Sequence, residues 1–366
     1  MTPWAGSVII VFEPIIAMPR SPSPPPRTRR IRGARRGTGG LTLADVARIA
    51  GVSPITVSRA LNTPDQVSPE TLARVQEAVA RTGYVPNRVA GGLASSRSRL
   101  VATIVPTIAS PMFLETVHAL TDALATEGYQ VMLGESGYDG TREDALLDAI
   151  IGRRPDGVIL TGVMHSQEGR RRLAAAGIPV VETWDLTPTP IDMLVGFSHE
   201  KVGVASAEYL AARGVRRPAM ISGDDHRAGL RRNGFSEAAL RLGLGKTPVR
   251  LVHAPTLIGD GRRALAALVE RHADLDAVYC SSDLLALGAL IEARARAIAV
   301  PDRLRILGFG DLDFARDADP SLSTVRIDGT AIGRQAARFL LDRIAGKPAG
   351  PRVVDLGFTI IPRESA

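Results

Sequence analysis

Cysteine is nearly missing from this chain. Cys280 is the one thiol in 366 residues, so no internal disulfide can form, and a reducing compartment, the cytoplasm, is expected. Histidines number six and lie far apart, none at metal-ligand spacing, so neither a metal nor another cofactor is expected. Aromatics make up only 4%, which suits an Ala/Leu/Val-rich α/β protein better than a β-sandwich. Long apolar runs are absent too. Residues 8–18 are broken by Glu13 and Pro14 and lack the basic flank of a secretion signal, so no membrane role is expected. The signatures of the common doubly wound enzymes are also missing. No Gly-x-Gly-x-x-Gly follows a strand and no phosphate loop occurs. Gly134-Glu135-Ser136-Gly137-Tyr138 misses the hydrolase elbow by its last residue, and His199-Glu200 lacks the second histidine of a zinc helix. Catalysis is therefore not expected.

What is present is basic and unevenly placed. The net charge is +7. Residues 1–40 hold seven arginines against Glu13 alone, a net +6, and residues 41–99 hold seven arginines against four acids, a net +3, which leaves the long remainder at −2. The positive end is where phosphate contacts belong, and the bulk of the chain is a poor nucleic-acid binder. Residues 1–40 are Pro/Ser-rich and then Arg/Gly-rich, and they read as a disordered basic extension. They either grip phosphates or reflect an over-long start, with Met18 or a later codon the true beginning.

Residues 41–62 read as two short helices across a tight turn. Thr42 caps the first, with Asp45 three residues on, and Val46, Ile49 and Ala50 share a face. Gly51 sits where the chain reverses. Ser53 and Pro54 open a second helix that turns Val57, Ala60 and Leu61 inward and Ile55, Thr56, Ser58, Arg59 and Asn62 outward. That outward face carries the donors, apolar contact and guanidinium that read base edges, although a helical hairpin from another core would share the pattern. Ser68-Pro69-Glu70 opens a third helix that Gly83 ends. In residues 87–99, Leu93 is an apolar side chain in a small, basic, glycine-containing linker. It is either a wedge for a minor-groove base step or an incidental leucine.

From Leu100 strands and helices alternate. The expected strands include 100–105, 157–160, 277–280, 305–308 and a last one near 353–358, about ten in all. That is more than one open sheet usually carries, so two mostly parallel sheets in two lobes are expected, with a ligand cleft between them.

These residues resemble the LacI-type (lactose repressor) family of bacterial regulators over 41–366. The resemblance is carried by Thr42-Leu43-Ala44-Asp45-Val46-Ala47, Gly51-Val52-Ser53, Thr56-Val57-Ser58-Arg59 and Tyr84-Val85-Pro86-Asn87-Arg88-Val89-Ala90. Fainter similarities are Arg231-Arg232-Asn233-Gly234-Phe235, Ser282-Asp283 and Leu307-Gly308-Phe309. The resemblance implies an all-α helix-turn-helix headpiece (41–86), a hinge (87–99) and a two-lobed, periplasmic-binding-protein-like α/β effector core (100–366). It implies a homodimer or tetramer on a near-palindromic double-stranded operator. Base reading would fall on Pro54, Ile55 and Arg59, and other DNA contacts on Thr42, Ser53, Thr56, Ser58, Asn62, Asn87, Arg88 and Ala90. Leu93 matches the hinge leucine that wedges between base pairs, and Gly91 and Gly92 would make hinge folding more dependent on DNA.

For the effector, Arg231 matches an arginine that holds ligands in this family, suited to a carboxylate or vicinal hydroxyls. Ser110, Phe113, Thr256, Ser282 and Asp283 are implied around the cleft. Glu182 and Trp184 stand at a strand's C-terminal end, where Trp184 either stacks on a sugar or belongs to the core. Asp311 keeps the second of two family aspartates, while Gly310 replaces the first, which leaves room for an anionic ligand. Residues 182–185, 195–200 and 308–311 are similar to gluconate-operon repressors of this family, so a sugar acid such as gluconate is the expected effector. A neutral sugar or nucleoside is the alternative within the class. A sugar-binding protein without a DNA role is the alternative outside it.

Overall fold

The computed structural model describes residues 41–84, 97–138, 143–163, 166–347 and 352–366. The chain divides into two compact units between Pro86 and Asn87. The expectations for residues 1–40 and for Asn87, Arg88, Ala90 and Leu93 lie outside the described residues.

The first unit contains α1 (Leu43–Ala50), α2 (Pro54–Asn62) and α3 (Pro69–Thr82). Thr42 and Asp45 form a reciprocal capping box that satisfies two orphan N–H groups of α1. Gly51 ends α1 at φ +65°, a left-handed conformation that costs glycine least. Val46, Ala47, Ala50, Val57, Ala60, Val75, Ala78 and Tyr84 form the core, with Leu43, Val52, Leu61, Leu72 and Val79 packed around it. Ile49 departs from the expected inward face and is 44% exposed. Ala47 takes its place, because the arc that α1 buries runs from Val46 through Ala50 to Ala47, and Ile49 lies more than about a quarter-turn from its centre.

The second unit has two lobes, each a six-stranded sheet. In the first lobe lie β1 (Leu100–Val105), β2 (Gln130–Glu135), β3 (Gly157–Thr161), β4 (Val180–Thr183), β5 (Met193–Gly196) and β11 (Val353–Asp355). They pair in the order β11-β5-β4-β3-β1-β2, all parallel. The second lobe holds β6 (Pro218–Gly223), β7 (Val249–Val252), β8 (Ala277–Cys280), β9 (Arg305–Phe309), β10 (Ser323–Arg326) and β12 (Thr359–Ile361). Their order is β12-β10-β9-β8-β6-β7, parallel except for β12 against β10. The expected last strand at 353–358 is two strands, one in each sheet, because the chain crosses between lobes at Leu356–Phe358, where Gly357 takes φ +66°. Strand β10 is the other departure. It is not among the expected strands, yet Ser323 and Thr324 are fully buried and their hydroxyls are hydrogen-bonded.

Helices cover both faces of both sheets. On the first lobe, α4 (Leu114–Thr126) and α11 (Gly329–Ile344) cover one face, and α5 (Glu143–Ile151) and α6 (Gln167–Ala176) the other. On the second, α7 (His199–Ala212) and α8 (His226–Arg241) pack opposite α9 (Ile258–Arg271) and α10 (Asp283–Ala295).

Neighbouring helices touch backbone to backbone through glycines. A Cβ on Gly203 of α7 would lie 2.0 Å from the Arg231 carbonyl oxygen of α8, and one on Gly234 would lie 2.3 Å from that of Glu200. Gly261 and Gly288 make the same reciprocal seam between α9 and α10. Because the obstacle is backbone rather than a movable side chain, Gly203→Ala is expected to destabilise the protein by about 3 kcal/mol despite its gain in helix propensity. Gly229→Ala, on α8 but with only the movable end of the Arg232 side chain 3.6 Å from its Cβ, is expected to be neutral or stabilising. Denaturant unfolding of the two variants checks this, and equal effects would refute the seam.

Candidate functional site

Two surfaces carry chemistry. On the first unit, Ser53 caps α2 by accepting from the Thr56 N–H, and its hydroxyl lies 2.8 Å from that of Thr56. Asn62 donates from Nδ2 to the Ser58 carbonyl at 2.9 Å. Thr42, Ser53, Pro54, Arg59 and Asn62 are exposed, and Thr56 and Ser58 half-buried. Ile55 is 66% exposed and presents an apolar side chain on the outer face of α2. Arg59 forms no ion pair among the described residues, whereas Arg48 is held by Asp45.

On the second unit, a cleft opens at the C-terminal ends of the strands of both lobes. About 730 Å³ of space, open solvent at its mouth included, lies between these strand ends. Of the residues expected there, Ser110, Phe113, Trp184, Arg231, Thr256 and Ser282 line it.

Arg231 is the centre of this cleft. It projects from α8 and is 4% exposed. Its Nη1 donates to His199 Nδ1 at 2.8 Å and its Nη2 to the Ser281 carbonyl at 3.1 Å, while its guanidinium carbon sits 4.0 Å over the Phe309 ring. Its Nε is buried with no hydrogen-bond partner. His199 Nε2 lies 2.9 Å from the Trp184 carbonyl, which can only accept, so Nε2 carries the proton and Nδ1 accepts from Arg231. The imidazole is therefore neutral. Burial, then the charges of Arg231 and Arg227, hold it well below the ordinary histidine range.

Trp184 is both core and cleft. It adopts φ +64°, a strained conformation for a bulky residue. Its indole N–H donates to Thr116 Oγ1 at 2.9 Å, and its ring packs edge-on against Phe113 and Phe197.

Three expected effector residues lie elsewhere. Glu182 is fully buried on β4, where it accepts from the Ile191 N–H at 2.8 Å and faces Arg170 at 3.4 Å. It points into the lobe, and Trp184, two residues on, does not share its face because the backbone turns to φ +64° there. Asp311 is bound by Arg363 at 2.7 Å and lies near Arg326. Asp283 is buried beneath the cleft floor, where it accepts from Thr324 Oγ1 at 2.6 Å and the Leu312 N–H at 2.8 Å, tying the loop after β9 to β10 and to the start of α10.

The residues that sequence reasoning missed are Tyr138, His199, Asp225, Arg227 and Ser281. The available signal was topological. Asp225 and Arg227 follow β6, Ser281 follows β8 and His199 follows β5, and in doubly wound sheets ligands bind beyond such strand ends.

Burial pushes the Asp283 carboxyl up to about 6. An acid whose folded value lies above its unfolded one adds stability that is complete below the unfolded value and lost as pH rises through the folded one. The unfolding free energy of the protein relative to its Asp283→Asn variant is thus expected to fall by roughly 3 kcal/mol from about pH 4 to about pH 7. The neutral His199 contributes equally to both and cancels. A difference independent of pH would show that Asp283 is already ionised at the acid end.

Residues 42–87 match the family model of bacterial regulatory proteins, lacI family, and residues 207–366 match a periplasmic binding protein-like domain. The chain is 39% identical over 332 residues to the HTH-type transcriptional regulator GntR of Pseudomonas aeruginosa, spanning 90% of this chain and 97% of that protein. It is 32% identical over 321 residues to GntR of Escherichia coli, spanning 87% and 97%. The solved structure of a LacI-family transcriptional regulator from Silicibacter pomeroyi superposes with a TM-score of 0.84 at 33% identity, over 89% of this chain and 99% of that one. The capped two-helix reader, the two-lobed core and these relatives lead to one conclusion: the chain belongs to the LacI family and is a DNA-binding transcriptional regulator, not an enzyme.

Proposed function

We propose that this regulator works in the cytoplasm as a homodimer on a near-palindromic operator and is controlled by a sugar acid, gluconate being the reference compound. The observation that carries the effector reading is the charge lining the cleft. Arg227 and Arg231 stand against Asp225 alone, and His199 is neutral. Such a lining favours an anion, and its hydroxyl and aromatic groups suit a polyol chain. The similarity of residues 182–185, 195–200 and 308–311 to gluconate-operon repressors supports the same reading. Neutral-sugar sites of this family use an acidic contact. Here Gly310 has no carboxylate and Asp311 is bound to Arg363.

For DNA, Pro54, Ile55 and Arg59 would read bases, and Thr42, Ser53, Thr56, Ser58 and Asn62 would contact phosphates or bases. Asn87, Arg88, Ala90 and Leu93 would complete the contact through the minor groove. Two headpieces need two half-sites, hence the near-palindrome. The effector acts by binding two arrangements of the lobes unequally, which shifts the DNA-competent population.

Mobility shift on the chain's own upstream region tests this. Wild type is expected to prefer that region over random duplex at physiological salt. Arg59→Ala should lose about 1–3 kcal/mol of that discrimination while keeping weak random-duplex binding. Gluconate should alter the retained fraction and glucose should not. The absence of any preference would defeat the DNA reading. A response to a neutral pentose and to no aldonate would defeat the sugar-acid reading alone.

The dimer is supported by edges. Strands β2 and β7 end their sheets and carry exposed large apolar side chains, Leu133 on the first and Val249 and Leu251 on the second. Sedimentation velocity is expected to give a dimer that Leu251→Lys weakens. A wild-type monomer at micromolar concentration would overturn this.

A further inference from the structure

Arg227 is placed against the usual rules. It occupies the second position of α8, beyond the N-cap Asp225, where the helix dipole disfavours a cation, and the first turn contains no acidic residue. Asp225 already spends Oδ1 on the Ala228 N–H at 3.0 Å. Among the described residues no carboxylate pairs with Arg227. Its partners belong to the other lobe: Nη1 reaches the Thr161 carbonyl at 3.5 Å, the limit of a hydrogen bond, and the guanidinium stands 5.2 Å from the Phe113 ring centroid. A cation that is half-buried, weakly bonded and set at a helix N-terminus has donors to spare. Local rules are broken in this way chiefly where a ligand repairs them.

Arg231 is differently placed. Two of its three nitrogens are committed within the protein, and the charge is sunk beneath the cleft wall by His199, Ser281 and Phe309. It is suited to hydroxyls and to general anion attraction, whereas Arg227 lines the cleft with one long hydrogen bond and has further donors for a carboxylate.

We propose that Arg227 is the specificity-determining residue of the cleft, receiving the carboxylate of an acidic sugar and thereby separating sugar acids from neutral sugars of the same shape. The proposal rests on the sugar-acid reading above. It adds which guanidinium discriminates charge. Arg227 is rooted in the second lobe and reaches the Thr161 carbonyl at the end of β3 in the first, so it stands where the two lobes meet.

Calorimetric titration of the full chain with D-gluconate and with its uncharged amide, D-gluconamide, tests this. Arg227→Gln is expected to weaken gluconate roughly 10- to 100-fold, as loss of a charge-assisted contact does, and to leave gluconamide within a few-fold. Arg227→Lys, which keeps the charge without the fork, should fall between, and melting curves for both variants should match wild type. If Arg227→Gln binds gluconate as wild type does, the role of Arg227 is overturned while the sugar-acid reading stands. If both ligands weaken alike, Arg227 shapes the cleft rather than reading charge, and the proposal also falls. A wild type that binds neither ligand, or prefers the amide, overturns both readings together.

Discussion

The contact between the Arg231 guanidinium and the His199 imidazole is the interaction on which the effector core depends. A guanidinium taken out of water must be surrounded by acceptors, and among the described residues no carboxylate within hydrogen-bond reach supplies one. The imidazole does so only while neutral, which burial and the neighbouring arginines enforce, and the Trp184 carbonyl selects the tautomer by holding the proton on the far nitrogen. That geometry requires α7 and α8 to approach so closely that only glycine fits at Gly203 and Gly234. Helix packing, tautomer and cleft charge are therefore one arrangement.

The same economy governs the second lobe. Asp283 carries no ligand-facing duty. It holds the Leu312 N–H and the Thr324 hydroxyl, and so shapes the loop whose Leu312 lines the cleft. Trp184 spends its N–H on Thr116, whose hydroxyl in turn donates to the Gly329 carbonyl at the start of α11. Cleft and crossover strands are thus hydrogen-bonded through a few buried polar side chains.

Much of this was legible in the chain itself. The cap-turn-cap pattern from Thr42 to Pro54 names its own structure, because local hydrogen bonds and glycine's backbone freedom decide it. The alternation of strands and helices does the same for the sheets, since each element advertises its period. Arg231, Trp184, Phe113, Ser110, Thr256 and Ser282 were expected at the cleft and line it. Legibility ended where a residue's role depends on direction. Glu182 and Trp184 are two apart on one strand end, yet one is buried against Arg170 and the other lines the cleft, because the backbone turns to positive φ at Trp184. Ile49 and Ala47 exchanged places for a similar reason, the orientation of α1 against two partners at once.

The sequence by itself determined the elements, the family and the chemistry available, because helix caps, hydrophobic periods and motif spacing are local quantities. Only the tertiary structure decided which charges are spent and which are free. Asp311 is neutralised by Arg363, 52 residues away, while Arg227 is left without a carboxylate among the described residues. Charge compensation is a matter of distance in space, and no local pattern along the chain encodes it.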